Sequence, residues 1–474
     1  MRRLSDWLGY FVFATVLGWA SGVVADNQTA DVSPILSSNG VPFSIQIQQA
    51  SFSLPSGLQS FVVGTNGGKW LLLAGRINGL HGFDAANNNF PADTQNTTVF
   101  VVDPNAQTVA TRSLTNQESG LTQAQIDVLS VTGPQSFQSG NTLYMTGGYG
   151  VDTATSNFTT KAALSAIDVP GLIHWVSNPT NGETAAQYIR QIFDPMFQVT
   201  GGVMVEAAPQ RALLVLGQNF SGTNVFVSGT YSDQVRRFRI VDQGTNLSAV
   251  AHRTRSQVAP PNLRRANMNV VPIIANGRPR FVSFSGAFTE NFGIWTIPVE
   301  IRPNGFSDMR RPARGTFFKQ GMNNWACPTL ALYSAKEGNS YTVLMGGISF
   351  GFFQSGTFQT DPELPFINQV TTIKRDRRGQ FSQYLMHGEY PVILSTGSNP
   401  GNPLLFGADA TLIPADGLPR YSNGVLKYDK LGNSPVIVGY IVGGIQSTLP
   451  NTNTGSDSAA SPYIFTVTLV PSHP

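Results

Sequence analysis

The sequence predicts an all-β protein, assembled from one four-stranded antiparallel unit repeated around a closed ring. Three observations predict it. Six short apolar runs end in glycine, most of them at a regular interval. A turn signal stands at hairpin distance before each run. The composition is that of a large-cored, weakly charged globular chain: 474 residues, 48 Gly, 30 Pro and only 12% charged residues, against a usual share of about 25%. That balance excludes collagen, a coiled coil, a charged-tail protein and a polytopic membrane protein.

The glycine-ended runs come first. They are Leu71-Leu72-Leu73-Ala74-Gly75, Leu143-Tyr144-Met145-Thr146-Gly147-Gly148, Leu213-Leu214-Val215-Leu216-Gly217, Phe281-Val282-Ser283-Phe284-Ser285-Gly286, Val343-Leu344-Met345-Gly346-Gly347 and Tyr440-Ile441-Val442-Gly443-Gly444. Their last glycines are spaced by 73, 69, 69, 61 and 97 residues. The turn signals are Gly67-Gly68, Gly140-Asn141, Pro209-Gln210, Asn276-Gly277, Gly338-Asn339 and Gly432-Asn433. Each unit therefore opens with a hairpin. Continuous apolar runs, rather than alternation, point to strands covered on both faces. Third strands follow at Thr98 to Asp103, Ala163 to Asp168 and Arg236 to Asp242, and fourth strands at residues 108–114 and 247–253.

Four short antiparallel strands, six times over, is the arithmetic of a six-bladed β-propeller over residues 42–474. The glycine that ends each second strand has two expected reasons. A side chain there would meet the neighbouring blade, and glycine allows positive φ into the next loop. The last unit lacks a fourth strand. Phe43-Ser44-Ile45-Gln46-Ile47-Gln48-Gln49 alternates like a half-exposed strand and belongs to no unit, so it is expected to pair with Tyr463 to Leu469 and close the ring. The long interval before Gly444 holds residues 391–419, and a seventh, degenerate blade there is the alternative count. Residues 122–129 and 184–192 read as short helices on connections between blades.

The N-terminus carries an address. Arg2 and Arg3 precede an uncharged stretch over residues 7–25, with small residues where a signal peptidase cuts. Residues 1–25 are expected to be a removed export signal, followed by a flexible lead over residues 26–41. The chain is then secreted or periplasmic, with no integral membrane span. A single cysteine, Cys327, allows no internal disulfide, so stability must come from core burial and sheet hydrogen bonds. The net charge of +3 comes from 30 basic and 27 acidic side chains. The two densest basic clusters, residues 310–314 and 374–378, stand at turn signals and read as solvated loop charge, with phosphate or anionic-glycan contact as the sharper reading. Nucleic acid is not an expected partner.

The glycine pairs after an apolar strand resemble the kelch repeat of the galactose-oxidase-type β-propellers. Gly147-Gly148, Gly346-Gly347 and Gly443-Gly444 keep the full doublet. The repeat is longer here, near 70 residues against about 50, and the spaced Tyr and Trp of that family are not reproduced. The resemblance implies the propeller fold. Copper enzymes of that group would need His, Tyr and a Tyr–Cys crosslink, but His81, His174, His252, His387 and His473 are isolated from one another. The periplasmic sialic-acid mutarotases, kelch-like too, would imply an arginine-bearing pocket at the ring mouth, which Arg264, Arg265 and Asn267 could supply.

No metalloprotease, nucleophile-elbow, P-loop, dinucleotide or EF-hand motif occurs, and no cofactor or metal is expected. Asp103, Asp168 and Asp242 end third strands as turn formers. The loops from second to third strand vary most. Residues 348–368 hold Phe350, Phe352, Phe353, Phe358 and Phe366, suited to stacking on sugars or to protein contact. Candidate binding residues are Arg76, His81, Arg264, Arg265, Asn267, Asn324, Phe350 and Phe352. The expected function is a binding or scaffold protein that presents loops on one face to a glycan, envelope polymer or protein. The alternative is a carbohydrate-active enzyme, epimerase- or mutarotase-like, with a polar pocket at the mouth.

Overall fold

Asn276 and Gly277 take φ of 53° and 71°, the two left-handed residues that a tight hairpin turn needs. The strands on either side, Asn269–Ala275 and Arg278–Phe284, pair along their whole length. A computed structural model of the protein, describing residues 32–82, 89–222, 229–291, 293–309, 317–452 and 455–472, repeats this arrangement. The fold is all-β, with many four-stranded antiparallel sheets.

Six sheets share one order. Sheet 1 is Val62–Asn66, Lys69–Leu73, Thr98–Asp103 and Thr108–Ser113. Sheet 2 is Gln135–Ser139, Thr142–Thr146, Ala163–Asp168 and Ile189–Phe193. Sheet 3 is Val203–Ala208, Arg211–Val215, Val235–Asp242 and Leu247–His252. Sheet 4 is Asn269–Ala275, Arg278–Phe284, Val299–Ile301 and Ser307–Asp308. Sheet 5 is Thr329–Ser334, Asn339–Ile348, Phe366–Arg375 and Phe381–Glu389, widened by a parallel strand at each edge. Sheet 6 is Thr411–Pro414, Val436–Val442, Tyr463–Pro471 and, from the other end of the chain, Phe43–Ser53.

The N-terminal strand pairs as its alternation requires. Phe43 faces Pro471, Ile45 faces Leu469 and Ile47 faces Val467. Phe43, Ile45 and Ile47 are buried, whereas Gln46 and Gln48 are exposed. Each buried side chain stabilises the join by about 1.5–3 kcal/mol. Residues 35–37, inside the expected flexible lead, form a strand beside Gln383 to Leu385.

Six apolar clusters fill the spaces between sheets in cyclic order. Leu71, Leu143 and Ile167 join sheet 1 to sheet 2. Leu164, Leu214 and Phe238 join sheets 2 and 3. Leu213, Phe281 and Val299 join sheets 3 and 4. Phe284, Leu344 and Ile373 join sheets 4 and 5. Val343, Ile441 and Phe465 join sheets 5 and 6. Ile413, Trp70 and Phe100 return from sheet 6 to sheet 1. Sheets buried on both faces need continuous apolar strands, which is why the runs do not alternate. Between sheets 4 and 5 a buried ion pair also crosses: Arg375 Nε donates to Glu300 Oε1 at 2.8 Å.

The glycine doublets are pairs of left-handed residues in all six sheets. Ala74-Gly75 has φ of 61° and 87°, Leu216-Gly217 has 55° and 91°, and Gly443-Gly444 has 63° and 89°. The two positions have different reasons. A Cβ on Gly443 would lie 2.3 Å from the carbonyl oxygen of Leu58, on the neighbouring sheet, as expected. A Cβ on Gly444 would strike Ala410, and one on Gly217 would strike Val199, both on the segment entering the same sheet. The second glycine therefore makes room for its own sheet's entry, not for a neighbour.

Three elements differ from expectation. Residues 184–192 are a 3-10 turn, Ala185–Tyr188, then the strand Ile189–Phe193, whose pairing with Ala163–Asp168 overrides a weak helical pattern. The helix lies at Val169–Ser177, capped by Asp168, which accepts the Gly171 N–H at 3.3 Å, with Pro170 in its first turn. Asp168 is thus a helix cap, whereas Asp103 accepts the turn N–H groups of Asn105 and Ala106 as expected. In the last unit the first strand is Thr411–Pro414, and residues 415–435 replace the expected short hairpin turn. Leu405–Ala408 joins a small sheet with Ile445–Ser447 and Ser458–Ala460, and does not begin a four-stranded sheet of its own. The other expected helix stands at Gln123–Leu129, with Thr122 and Gln125 forming a capping box. Among the described residues no helix is long and apolar enough to cross a membrane.

Gly217→Ala places a Cβ 2.5 Å from Val199 Cγ1 at φ of 91°. It is expected to cost about 2–4 kcal/mol in urea unfolding, combining left-handed strain with overpacking. A cost below about 0.5 kcal/mol would show that the entry segment yields freely.

Candidate functional site

Each sheet is entered through one left-handed residue just before its first strand. These are Ser60, Gly133, Gly201, Asn267, Ala326 and Asp409, with φ between 47° and 61°. Their backbones are bonded in sequence. Gly133 N–H donates to Ser60 O at 3.3 Å, Gly201 to Gly133 at 3.3 Å, Asn267 to Gly201 at 2.7 Å and Ala326 to Asn267 at 3.2 Å. Asp409 then donates to Ala326 at 2.7 Å and Ser60 to Asp409 at 3.3 Å, so the series returns to its start. The six residues ring one end of the space between the first strands. Three carry polar side chains: Ser60, Asn267 and Asp409.

Below the ring lies a cavity of about 300 Å³, lined by Val63, Thr65, Ser136, Gln138, Thr411, Leu412 and Pro414 among others. No lining residue is ionisable. First strands present an unpaired backbone edge to it, and side chains cover part of that edge. Gln138 Nε2 donates to Thr65 O at 2.8 Å and its Oε1 accepts from Thr65 N at 2.7 Å. The Ser340 hydroxyl donates to Ile274 O at 2.6 Å. Beside sheets 4 and 5 the chain itself fills the space. Leu426–Lys427 pairs in parallel with Leu332 and Tyr333, Asn423 Nδ2 donates to Ile273 O at 3.2 Å, and Val425 packs on Ile274 and Tyr333. The open part of the cavity is therefore bounded by sheets 6, 1 and 2.

The candidate binding residues separate by environment. Arg76 is 1% exposed; it donates to Pro91 O at 2.8 Å and Asn78 Oδ1 at 3.0 Å, touches the Thr94 hydroxyl, and lies over Phe90. Burial lowers it to about 10. His81 stacks on the same Phe90 at 4.5 Å, and burial lowers it to about 4, so its ring is neutral near pH 7. Arg264 donates to Phe288 O at 2.6 Å and Thr289 O at 2.9 Å and stacks on Tyr231 at 4.0 Å. Arg265 is fully buried; it lies over Trp295 at 4.6 Å, and burial lowers it to about 9. Asn324, also fully buried, bonds Gly346 O at 2.8 Å and accepts from the Thr371 hydroxyl at 3.1 Å. Phe350 is buried with Ala287, Ile294 and Trp325, and Phe352 is half-buried in the hairpin of Gly351–Gln354 and Thr357–Thr360. Asn267 alone of the eight stands exposed on the ring. The phenylalanines of this loop thus lie mostly against the protein.

Sequence reasoning missed Ser60 and Asp409. Their signal was available: left-handed positions favour Gly, Asn and Asp, and four of the six entry residues are of those types. Asp409 is half-buried, and desolvation, moderated by a hydrogen bond with Ser60, pushes its carboxyl up to about 6. Cys327 is buried, its thiol pushed up to about 12 by desolvation. The histidines lie elsewhere: His174 bonds Glu183, His252 and His387 are exposed, and His473 falls outside the described residues. Among the described residues no cluster of three His, Cys, Asp or Glu side chains could hold a metal ion.

No family model matches the sequence, and no curated protein matches it. Solved structures similar to it include one described as "Structure of YjhT", with 10% identity and a TM-score of 0.45, covering 88% of this chain and 98% of that chain. At that level of likeness neither a fold nor an activity passes from it to this chain.

The raised Asp409 carboxyl sets a pH dependence. The folded state prefers the protonated form, so its stabilising contribution is full below pH 3.8 and is lost as pH rises through about 6. Asp409→Asn is expected to match the parent melting temperature near pH 4 and to exceed it at pH 8. A difference that stays constant from pH 4 to 8 would show that this carboxyl is not desolvated.

Proposed function

We propose that residues 42–474 form a six-bladed β-propeller, closed by its N-terminal strand, that is exported with loss of residues 1–25. We read it as a binding or scaffold protein that takes an uncharged, hydroxyl-rich ligand, a glycan, at the ring mouth. The cyclic order of the six sheets and of the six entry hydrogen bonds supports the propeller. One observation carries the ligand class: the cavity under the ring is lined by Thr, Ser and Gln with Val, Leu and Pro, and by no ionisable residue. The hydroxyls of Thr65, Ser136 and Thr411, interleaved with apolar patches, match a sugar and not a charged metabolite. Arg76, Arg264 and Arg265 bind main-chain carbonyls instead of facing the mouth.

The enzyme reading requires an acid and a base facing one substrate. Asp409 could serve as one of them, and it is the one ionisable residue among the six at the mouth.

The test is a glycan array probed with the chain lacking residues 1–25. A glycan should bind, and Asn267→Gly, which keeps the left-handed backbone, should weaken it at least tenfold with an unchanged melting temperature. For each glycan bound, anomer interconversion is followed by NMR. Acceleration that disappears in Asp409→Asn replaces the binding reading with the enzymatic one, and binding that survives Asn267→Gly moves the site away from the mouth.

A further inference from the structure

The end of the sheets opposite the ring carries the turns between first and second strands and between third and fourth strands. At sheets 4 and 5 these turns are basic. Arg278 opens a second strand after Asn276 and Gly277, and Arg302 stands where a third strand ends. Lys336 lies in the turn between Thr329–Ser334 and Asn339–Ile348, and Arg377 and Arg378 in the turn after Phe366–Arg375. All five are exposed.

Contacts across the two sheets bring these turns onto one surface. Arg375 and Glu300, each two residues from an exposed arginine, are bonded at 2.8 Å. A Cβ on Gly338 would lie 3.1 Å from Cβ of Arg377, so that arginine borders the Lys336 turn. The acids within the patch keep their charge, and each is held by its own protein partners. Glu300 is buried between Arg375 and Arg280. Asp376 accepts the N–H groups of Arg378 and Gln380, both at 2.8 Å. Glu337 accepts from Asn339 at 2.9 Å and from the Tyr341 hydroxyl at 2.6 Å. Asp429 accepts the Lys336 N–H at 3.0 Å within that turn, and Asp308 stands opposite Glu300 on the neighbouring strand. The whole chain carries a net charge of only +3, so five exposed cations on two adjacent turns per sheet are a local concentration.

We propose that this face binds an anionic polysaccharide, at a surface separate from the ring mouth. Spaced guanidinium groups present paired donors to sulfate or carboxylate oxygens. A single-stranded nucleic acid would need exposed rings for its bases. Phe306 has the Arg302 guanidinium over it at 4.5 Å and Phe381 packs on Phe284 and Phe318, which favours the glycan.

Dextran sulfate is the probe, titrated at low and at physiological salt, with neutral dextran, oligo(dT) and phosphatidylglycerol vesicles as competitors. Dextran sulfate should bind, weaken as salt rises, and resist neutral dextran. Arg278→Ala, Arg302→Ala, Arg377→Ala and Arg378→Ala combined should weaken it at least tenfold. Asn105→Asp, Gln107→Glu, Thr108→Glu and Asn141→Asp combined lower the net charge by the same four units at exposed turns of sheets 1 and 2, and should change it less than threefold. Melting temperatures of both variants report folding. Equal losses in the two variants, no binding, or displacement by oligo(dT) or vesicles at lower charge concentration than dextran sulfate needs would each overturn the proposal. Glycan capture at the mouth is scored separately through Asn267→Gly, so either site can fail alone.

Discussion

The constraint on which the structure depends is the crossing at the end of every second strand. There the chain leaves its sheet within van der Waals reach of the segment by which it entered. Both strands of backbone take left-handed residues at that point, and the outgoing one has no room for a Cβ. Gly148, Gly217 and Gly444 donate their N–H groups to the entry segment of the next sheet, at 2.8, 2.8 and 2.9 Å. Gly75 does the same to Val131 at 2.7 Å. One glycine thus serves two purposes: it clears its own sheet's entry and ties that sheet to its neighbour.

From this crossing the packing follows. Entry residues bonded in a cycle hold the first strands at a common distance, and the sheets behind them meet face to face. The inner strands of the sheets are then dry on both faces, which the apolar runs satisfy. Burial of this kind replaces disulfides in a chain with one cysteine, and that cysteine is buried beside Asn269. Phe43–Ser53 and Tyr463–Pro471 share a sheet, so segments far apart in sequence hold each other. Strands at the outer edge, such as Leu247–His252, have an exposed face and read as more polar.

The same geometry decides what chemistry the mouth can offer. A ring made of backbone needs small or turn-forming residues at its entries, and these leave few charges there. Arginines near the mouth are drawn into satisfying carbonyls that irregular entry segments leave unpaired, as Arg76 does for Pro91 and Arg264 for Phe288 and Thr289. Charge collects instead on the turns at the far end, where nothing crowds a long side chain. The two ends therefore differ in kind: one has Asp409 as the single ionisable ring residue above a cavity lined by uncharged side chains, and the other carries exposed Arg and Lys side chains on the turns of sheets 4 and 5.

The sequence by itself determined the second strands, five of the six opening hairpins, two of the fourth strands and the pairing of Phe43–Ser53 with Tyr463–Pro471. Those follow from local rules: left-handed turn residues, apolar runs, and the alternation of Phe43, Ile45 and Ile47. It also placed the loops that differ between units. Tertiary structure alone decided that Ile189–Phe193 is a strand, since a partner strand outweighs a short helical pattern. It decided that residues 415–435 run beneath the ring instead of turning tightly. It also decided which arginines bond carbonyls and which meet solvent. Arg264 and Arg265 are neighbours in sequence, yet one lies on Tyr231 and the other is sealed under Trp295. Nothing local separates them, because burial depends on what the next sheet places against each side chain.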